Sequence, residues 1–98
     1  MTCYGDLPEA YRDKNKSAAV IVPVPYDGTS TWIKGADKGP LALIEASANM
    51  ELYDIETGTE VYQHGIFTDV PVSVIGPPES MISAVKERLY SWIEKDKF

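Results

Sequence analysis

A short polar loop carries the side chains of this chain that are best suited to bind a ligand. It follows the apolar run Ala18–Val24 and contains one carboxylate and several hydroxyl groups. If that run is a strand of an open α/β sheet, the loop lies at the carboxyl end of the sheet, where such sheets bind ligands. A carboxylate at this place could orient a cationic substrate. The candidate binding residues of the loop are Asp27, Gly28, Thr29, Ser30, Trp32, Gly35 and Gly39.

Each candidate also has a structural interpretation. Asp27-Gly28 is a turn signal, and turn statistics favour a carboxylate that caps its own loop over one that binds a ligand. Gly35 and Gly39 lack the spacing of a phosphate loop, so we expect them to bend the chain and to let the next helix pack closely. Trp32 is either a lid over a site or a local plug.

Residues that commonly bind transition metals are scarce. His64 is the only histidine and Cys3 the only cysteine, whereas zinc sites usually take several such ligands. We therefore interpret His64 as a loop residue and Cys3 as an incidental thiol, and a single cysteine cannot form an intrachain disulfide. An acidic run lacks the alternation with glycine of a calcium loop and predicts a solvated face. It consists of Glu51, Asp54, Glu56 and Glu60.

The charge of the chain argues against one class of partner. Nine basic and fifteen acidic residues give a net charge of −6 over 98 residues, whereas nucleic-acid binding needs clustered Lys and Arg. No stretch approaches the roughly 20 apolar residues of a membrane span. The charged start of the chain does not resemble a signal peptide. We expect a cytoplasmic protein that binds neither nucleic acid nor a membrane.

The elements that position the loop follow the order strand, helix, strand, helix. Continuous hydrophobicity over Ala18–Val24 predicts a strand covered on both faces, as in a parallel sheet. Gly39-Pro40 predicts a helix start, because proline is pre-organised for the first helical turn. This helix should end near Leu52–Tyr53. Residues 66–75 predict a second strand, which Pro71 interrupts. The order indicates an α/β fold with βαβ connections.

A second helix is predicted from the segment Gly76-Pro77-Pro78-Glu79 onward, where prolines and an acid mark a helix start. Its apolar stripe has helical spacing, and we expect it to be core rather than a cofactor site. Two strands offer too little area to bury two helices fully, which predicts the beginning of a larger domain. The stripe consists of Met81, Ile82, Val85, Leu89, Trp92 and Ile93.

The chain divides into two expected parts. Residues 1–17 are polar and predict an N-terminal arm that lies over another surface. Residues 18–98 predict the first part of an incomplete α/β domain. The possible anchors of the arm are Tyr4, Leu7, Pro8 and Tyr11.

Four segments together resemble the N-terminal part of the ureohydrolase family, the group of agmatinases and arginases. They are VPVPYDGTS (22–30), KGADKGP (34–40), IEAS (44–47) and NMELYDIETG (49–58), the last being closer to agmatinases. The resemblance implies a three-layer α/β/α fold with a mostly parallel sheet. It also implies a site of two manganese ions, at which a metal-bound hydroxide attacks a guanidinium carbon and releases urea. Family members commonly form trimers or hexamers.

The family's metal-binding segments are absent from this sequence. They are Gly-Gly-Asp/Glu-His, Asp-Ala-His-x-Asp and Asp-x-Asp-x-x-Asp, and the first would be expected shortly after Phe98. No catalytic or metal-binding residue is therefore assigned to this chain. The loop from Asp27 to Gly39 resembles the rim of the family's active site.

These observations lead to one hypothesis and an alternative. The hypothesis is an N-terminal fragment of an agmatinase-like ureohydrolase. The parent would hydrolyse a guanidino compound, with agmatine favoured, to an amine and urea, and the fragment alone would be inactive. The alternative is a short, non-catalytic interaction or assembly module derived from the same family. An unrelated small α/β domain is the least favoured interpretation.

Overall fold

The computed structural model describes residues 2–98, and Met1 of the expected arm lies outside the described residues. The described chain contains strand β1 (Ala19–Ile21), helix α1 (Gly39–Ser47), strand β2 (Ile66–Thr68) and helix α2 (Pro78–Ile93). This order confirms the predicted succession of strand, helix, strand and helix. Single 3₁₀ turns lie at Tyr4–Asp6, Glu9–Tyr11, Ala36–Lys38 and Val61–His64.

The two strands pair in parallel, with Val20 opposite Phe67. Both are shorter than predicted, but pairing continues beyond them. The amide of Asp69 donates to the carbonyl of Ile21 at 3.0 Å, and the amide of Val72 donates to Pro23 at 3.0 Å. The regular ladder stops between these bonds because prolines in both segments lack an N–H group to donate.

The other edge of β1 also forms strand-like hydrogen bonds. The amide of Phe98 donates to the carbonyl of Ala18 at 2.9 Å, and the amide of Val20 donates to the carbonyl of Phe98 at 2.9 Å. A residue that bonds in this way to the two neighbours of its partner is in parallel pairing. β1 therefore has backbone partners on both edges.

The helices lie on opposite faces of the sheet. Phe67 faces α2, where its ring centroid is 5.6 Å from that of Trp92. The next residue, Thr68, accepts a hydrogen bond from the Tyr4 amide at 2.8 Å and borders the same cavity as Ile44 of α1. Because successive strand residues point to opposite faces, α1 and α2 flank the sheet from both sides. This arrangement is the start of an α/β/α fold.

Helix α1 ends five residues before the predicted end at Leu52. The amides of residues 48–50 donate to carbonyls three positions back, which tightens the chain into turns. The hydroxyl of Ser47 accepts a hydrogen bond from the Gly5 amide at 2.7 Å and donates to the Ile44 carbonyl at 2.5 Å. The last helical residue thus fastens the N-terminal segment to the domain.

The N-terminal segment packs against the domain through two of its expected anchors. Leu7 is 2% exposed and forms part of the small apolar core with Ile44 and Val72. The ring of Tyr11 meets the edge of the Tyr62 ring at a centroid distance of 5.4 Å. The arm therefore covers part of the α1 side of the sheet.

The prediction that the stripe of α2 forms core is wrong for the described chain. The exposed fractions of Ile82, Leu89 and Ile93 are 60%, 43% and 61%. An α-helix is about 10 Å wide with its side chains, whereas the axes of two paired strands are only about 5 Å apart. The sheet is thus wide enough to contact only one edge of the stripe, as the count of strands suggested.

Asp69 joins α2 to the end of β2. The residue is 8% exposed, and its carboxylate accepts hydrogen bonds from the Trp92 indole at 2.8 Å and from Arg88 at 3.2 Å. Its second oxygen accepts the Val70 amide at 2.8 Å. Arg88 also donates to the Val70 carbonyl at 2.7 Å. Both carboxylate oxygens are thereby paired, which is the condition for burying a carboxylate.

Asp69→Asn is expected to lower the free energy of unfolding by about 1–3 kcal/mol, because an amide cannot accept hydrogen bonds on both of its heteroatoms. Urea unfolding followed by circular dichroism measures the effect. Glu87→Gln makes the same change of charge at an exposed position of α2 and is the control. Equal unfolding midpoints for the two variants would contradict this role of Asp69.

A tight turn leads into β1. The carboxylate of Asp13 accepts the amides of Asn15 at 2.8 Å and Lys16 at 3.1 Å. These backbone hydrogen bonds stabilise the ionised form and lower the pKa of Asp13 below its ordinary value of 3.8. The contribution to stability is therefore present above pH 3.8 and is lost as the pH falls through the pKa of the folded state.

The pH dependence of this turn can be followed by NMR. The amide shifts of Asn15 and Lys16 should titrate together with a midpoint below pH 3.8, and Asp13→Asn should abolish that titration. A midpoint at or above 3.8 would show that the two amides do not hold the carboxylate.

Candidate functional site

The carboxyl ends of β1 and β2 border a small cavity beside the start of α1. Its volume is about 120 Å³, and its walls are mainly apolar. Ligand pockets usually enclose about 300–1,000 Å³. The cavity formed by the described residues is therefore smaller than a typical ligand pocket. The cavity is lined by Thr2, Pro23, Pro25, Asp37, Pro40, Leu41, Ile44, Thr68, Asp69 and Pro71.

Asp37 and Asp69 also border this cavity, and neither is among the candidate residues predicted from the sequence. The sequence did contain a signal that could have identified Asp69 as a candidate. It directly follows β2, just as Asp27 follows the β1 segment, so the rule that ligand sites lie at the carboxyl ends of strands applies to both. The Asp69 carboxylate accepts a hydrogen bond from Trp92 of α2, whereas Asp37 is exposed.

Asp27 holds its own loop closed. One carboxylate oxygen, Oδ2, accepts the Gly35 amide at 2.9 Å. The backbone carbonyl of Asp27 accepts the Ser30 amide at 3.0 Å and the Lys34 ammonium at 3.0 Å. The structure thus supports the loop-capping role that turn statistics favoured. A role of Asp27 in orienting a cationic substrate stays a prediction.

Gly28 lies close to the side chain of Tyr26. A Cβ atom at this position would lie 2.6 Å from the hydroxyl oxygen of Tyr26. Of the hydroxyl residues that follow, Thr29 is exposed and Ser30 is half-buried. These three candidates lie together at the turn, and a role in binding stays a prediction for each.

The two other glycines behave differently from each other. Gly35 has a φ of 134°, a conformation that favours glycine, so the predicted bend is present there. Gly39 has helical φ and ψ angles of −57° and −50°, and a Cβ atom at this position would meet no atom of another segment within 4 Å. The expectation that Gly39 permits close packing is therefore wrong, because this residue opens α1 on its exposed side.

Trp32 projects from the tip of the loop. Its exposed fraction is 91%, and that of the adjacent Ile33 is 74%. The interpretation of Trp32 as a local plug is wrong, since a plug would be buried. The hydrogen bond between the Gly35 amide and the Asp27 carboxylate brings the two ends of the loop together. The loop therefore exposes an apolar tip at the end of the sheet that borders the cavity.

The described residues do not fit a metal site. Within residues 2–98, no group of three or more His, Cys, Asp or Glu side chains could hold a metal ion. His64 is exposed at the end of a 3₁₀ turn, and its carbonyl accepts the Ala18 amide at 3.0 Å. All four members of the acidic run are exposed, as predicted. Asp54 among them caps its own turn, accepting the Glu56 amide at 3.0 Å.

Among the described helices, none is long and apolar enough to cross a membrane.

The two loop glycines provide a matched pair of tests. Gly35→Ala is expected to lower the free energy of unfolding by about 1–3 kcal/mol, because alanine is strained at positive φ. Gly39→Ala should leave stability unchanged or raise it by about 0.4–1 kcal/mol, because alanine is favoured in a helix. Chemical unfolding measures both. A larger loss for Gly39→Ala than for Gly35→Ala would contradict the loop geometry.

Comparison with curated proteins gave related sequences that carry one name. An N(1)-aminopropylagmatine ureohydrolase of Synechocystis sp. is 33% identical over 96 residues, covering 92% of this chain and 31% of the relative. Proteins of the same name from Thermus thermophilus and Thermococcus kodakarensis are 28% and 27% identical, covering 97% and 79% of this chain and 32% and 27% of the relatives. The chain thus spans about a third of the length of these relatives.

No solved structure matches the chain at a significant level. The model of the arginase family matches residues 17–98, which include both strands, both helices and the loop from Asp27 to Gly39. This match covers most of the chain, and it agrees with the family that the four sequence segments resemble. The chain belongs to the arginase family.

Proposed function

We propose that these residues form the N-terminal part of a ureohydrolase, which adds water across a guanidinium C–N bond and releases urea and an amine. The observation that carries the proposal is the family match over residues 17–98. In this hydrolysis the oxygen of water bonds to the guanidinium carbon, the C–N bond to the substituent breaks, and the two protons of water go to the departing nitrogen, which leaves as an ammonium group.

The substrate we propose is a guanidino compound with a cationic arm. The resemblance favoured agmatine, and the names of the relatives now favour N(1)-aminopropylagmatine. Both are cations, and the chain has a net charge of −6. Asp27 and Asp37 lie in the loop after β1, but Lys34 and Lys38 balance their charge, so the attraction of a cationic ligand would come from the acidic chain as a whole.

This chain contributes the rim of the proposed site. The loop from Asp27 to Gly39 would border the entering substrate, while the two manganese ions implied by the family would be held by residues other than those described. We further propose a cytoplasmic enzyme that assembles as a trimer or hexamer, as the family resemblance implies.

A second candidate function follows from the uncovered face of α2. The exposed side chains of Ile82, Leu89 and Ile93 lie beside Val24 along an apolar groove. Exposed apolar surfaces of this kind often mark protein contacts. The chain could therefore act as a non-catalytic assembly module that docks on a full-length relative.

Urea release separates these functions. The 98-residue chain and the complete polypeptide of its source reading frame should each be loaded with manganese and supplied with agmatine or N(1)-aminopropylagmatine. We expect urea from the complete polypeptide and only the metal background from the short chain, because the described residues hold no metal cluster.

The outcomes against the proposal are clear. Urea release by the short chain above the metal background would overturn its inactivity. Absence of urea from the complete polypeptide with both substrates would overturn the ureohydrolase proposal. A stable complex between the inactive short chain and a full-length relative, seen by light scattering, would support the assembly module instead.

A further inference from the structure

The chain leaves α2 in a direction that its own backbone fixes. The amide of Asp96 donates to the carbonyl of Ile93 at 3.0 Å, and the amide of Lys97 donates to the carbonyl of Trp92 at 3.1 Å. Asp96 between them has a φ of 59°. Two such bonds around a left-handed residue are the Schellman motif, which ends a helix and turns the chain away from it. Residues 97 and 98 are thereby directed toward the start of β1.

The Lys97 side chain bonds to the turn that precedes β1. Its ammonium donates to the carbonyl of Asn15 at 2.9 Å and to the carbonyl of Ser17 at 2.5 Å. Hydrogen bonds from a charged donor are roughly twice as strong as those between neutral groups. The turn is itself braced by Asp13, whose carbonyl accepts the Ser17 amide at 2.9 Å and whose carboxylate accepts the Asn15 amide at 2.8 Å. The ammonium therefore meets two acceptors that are held in place.

These contacts are compatible with one register of Phe98 on β1. The Phe98 amide donates to the carbonyl of Ala18, and its carbonyl accepts the Val20 amide, so Phe98 lies opposite Ala19 in parallel pairing. A slip of one residue would turn every side chain of this segment to the other face of the sheet. Lys97 would then lose both of its carbonyl partners. The ammonium thus favours the observed register over its neighbours.

The register bears on the candidate site because parallel strands end at the same edge of a sheet. A chain that continues from Phe98 in this pairing comes level with Val24 about five residues later, next to the loop that begins at Asp27. A slip of one residue moves such a strand by about 3.3 Å along its axis. Misplacement by about 1 Å can lower a reaction rate on the order of a hundredfold.

We propose that Lys97 is a positioning residue, which sets the register in which the chain after α2 joins β1 and so places the residues that follow at the carboxyl edge of the sheet. Lys97 acts through the backbone that it holds and touches no substrate. The effect on the site rests on the proposed ureohydrolase function, whereas the effect on the register does not. The curated relatives are about three times as long as this chain, which leaves room for such residues.

Hydrogen exchange of the 98-residue chain tests the register. Lys97→Met keeps a long apolar side chain but removes the ammonium. We expect the amides of Val20 and Phe98 to exchange roughly tenfold faster, because their mutual bonds to β1 and Phe98 then open more often. The amide of Asp69, which bonds to the other edge of β1, is the internal reference and should change less than twofold.

Two matched variants separate the two hydrogen bonds of Lys97 from its charge. Lys95→Met removes the same charge two residues earlier, where the ammonium lies 5.1 Å from the centre of the Trp92 ring. It should leave the exchange of both amides within twofold of the wild type. Lys97→Arg keeps a charged donor at the turn and should restore most of the protection.

Kinetics of the complete polypeptide test the effect on the site. The enzyme is loaded with manganese, supplied with agmatine or N(1)-aminopropylagmatine, and kept well below the unfolding midpoint of each variant. Lys97→Met should lower kcat by roughly tenfold or more with less than a twofold change in KM, because it displaces the site without removing a contact to substrate. Lys97→Arg should recover most of this loss, and Lys95→Met should retain the wild-type rate.

Four outcomes count against these claims. Unchanged exchange of Val20 and Phe98 in Lys97→Met would overturn the control of the register, and so would an equal acceleration at Asp69, which would show a general loss of stability. Faster exchange with an unchanged kcat would overturn the effect on the site. Absence of urea release by the wild-type polypeptide contradicts the proposed function itself, and the exchange experiment still decides the register.

Discussion

The parallel hydrogen bonds between β1 and β2 place the carboxyl ends of both strands at one edge of the sheet. The loop that begins at Asp27 and the joint at Asp69 lie at this edge for that reason alone. An antiparallel pair would send the two segments to opposite ends. Phe98 forms backbone hydrogen bonds with the other edge of β1, so this strand has backbone partners on both edges. The cavity and the position of the loop from Asp27 to Gly39 depend on this pairing.

Carboxylates at the edge of the sheet serve two different purposes. Asp69 is largely buried and is paired with Trp92 and Arg88, so it fixes α2 on the sheet. Asp27 uses one oxygen to brace its loop and leaves the tip exposed. The first stabilises the scaffold, and the second determines the shape of an exposed loop. A carboxylate in a favourable place is thus not by itself a binding residue.

The narrow sheet explains what the described chain leaves uncovered. Its buried apolar residues, Leu7, Ile44 and Val72, form a small core, while the stripe of α2 stays largely in solvent. A parallel sheet normally buries both of its faces under helices. The chain spans about a third of the length of the curated relatives that it matches. The exposed stripe of α2 would serve an assembly module.

The sequence by itself determined the order of the elements, the helix starts at Gly39-Pro40 and Pro78 and the family, because proline geometry, apolar runs and local motifs act over short distances. It could not set the end of α1, where the Ser47 hydroxyl bonds to Gly5, a residue distant along the chain. Nor could it show that Trp32 is exposed. Only the tertiary structure decided these points, because burial and long-range hydrogen bonds depend on which segments meet in space.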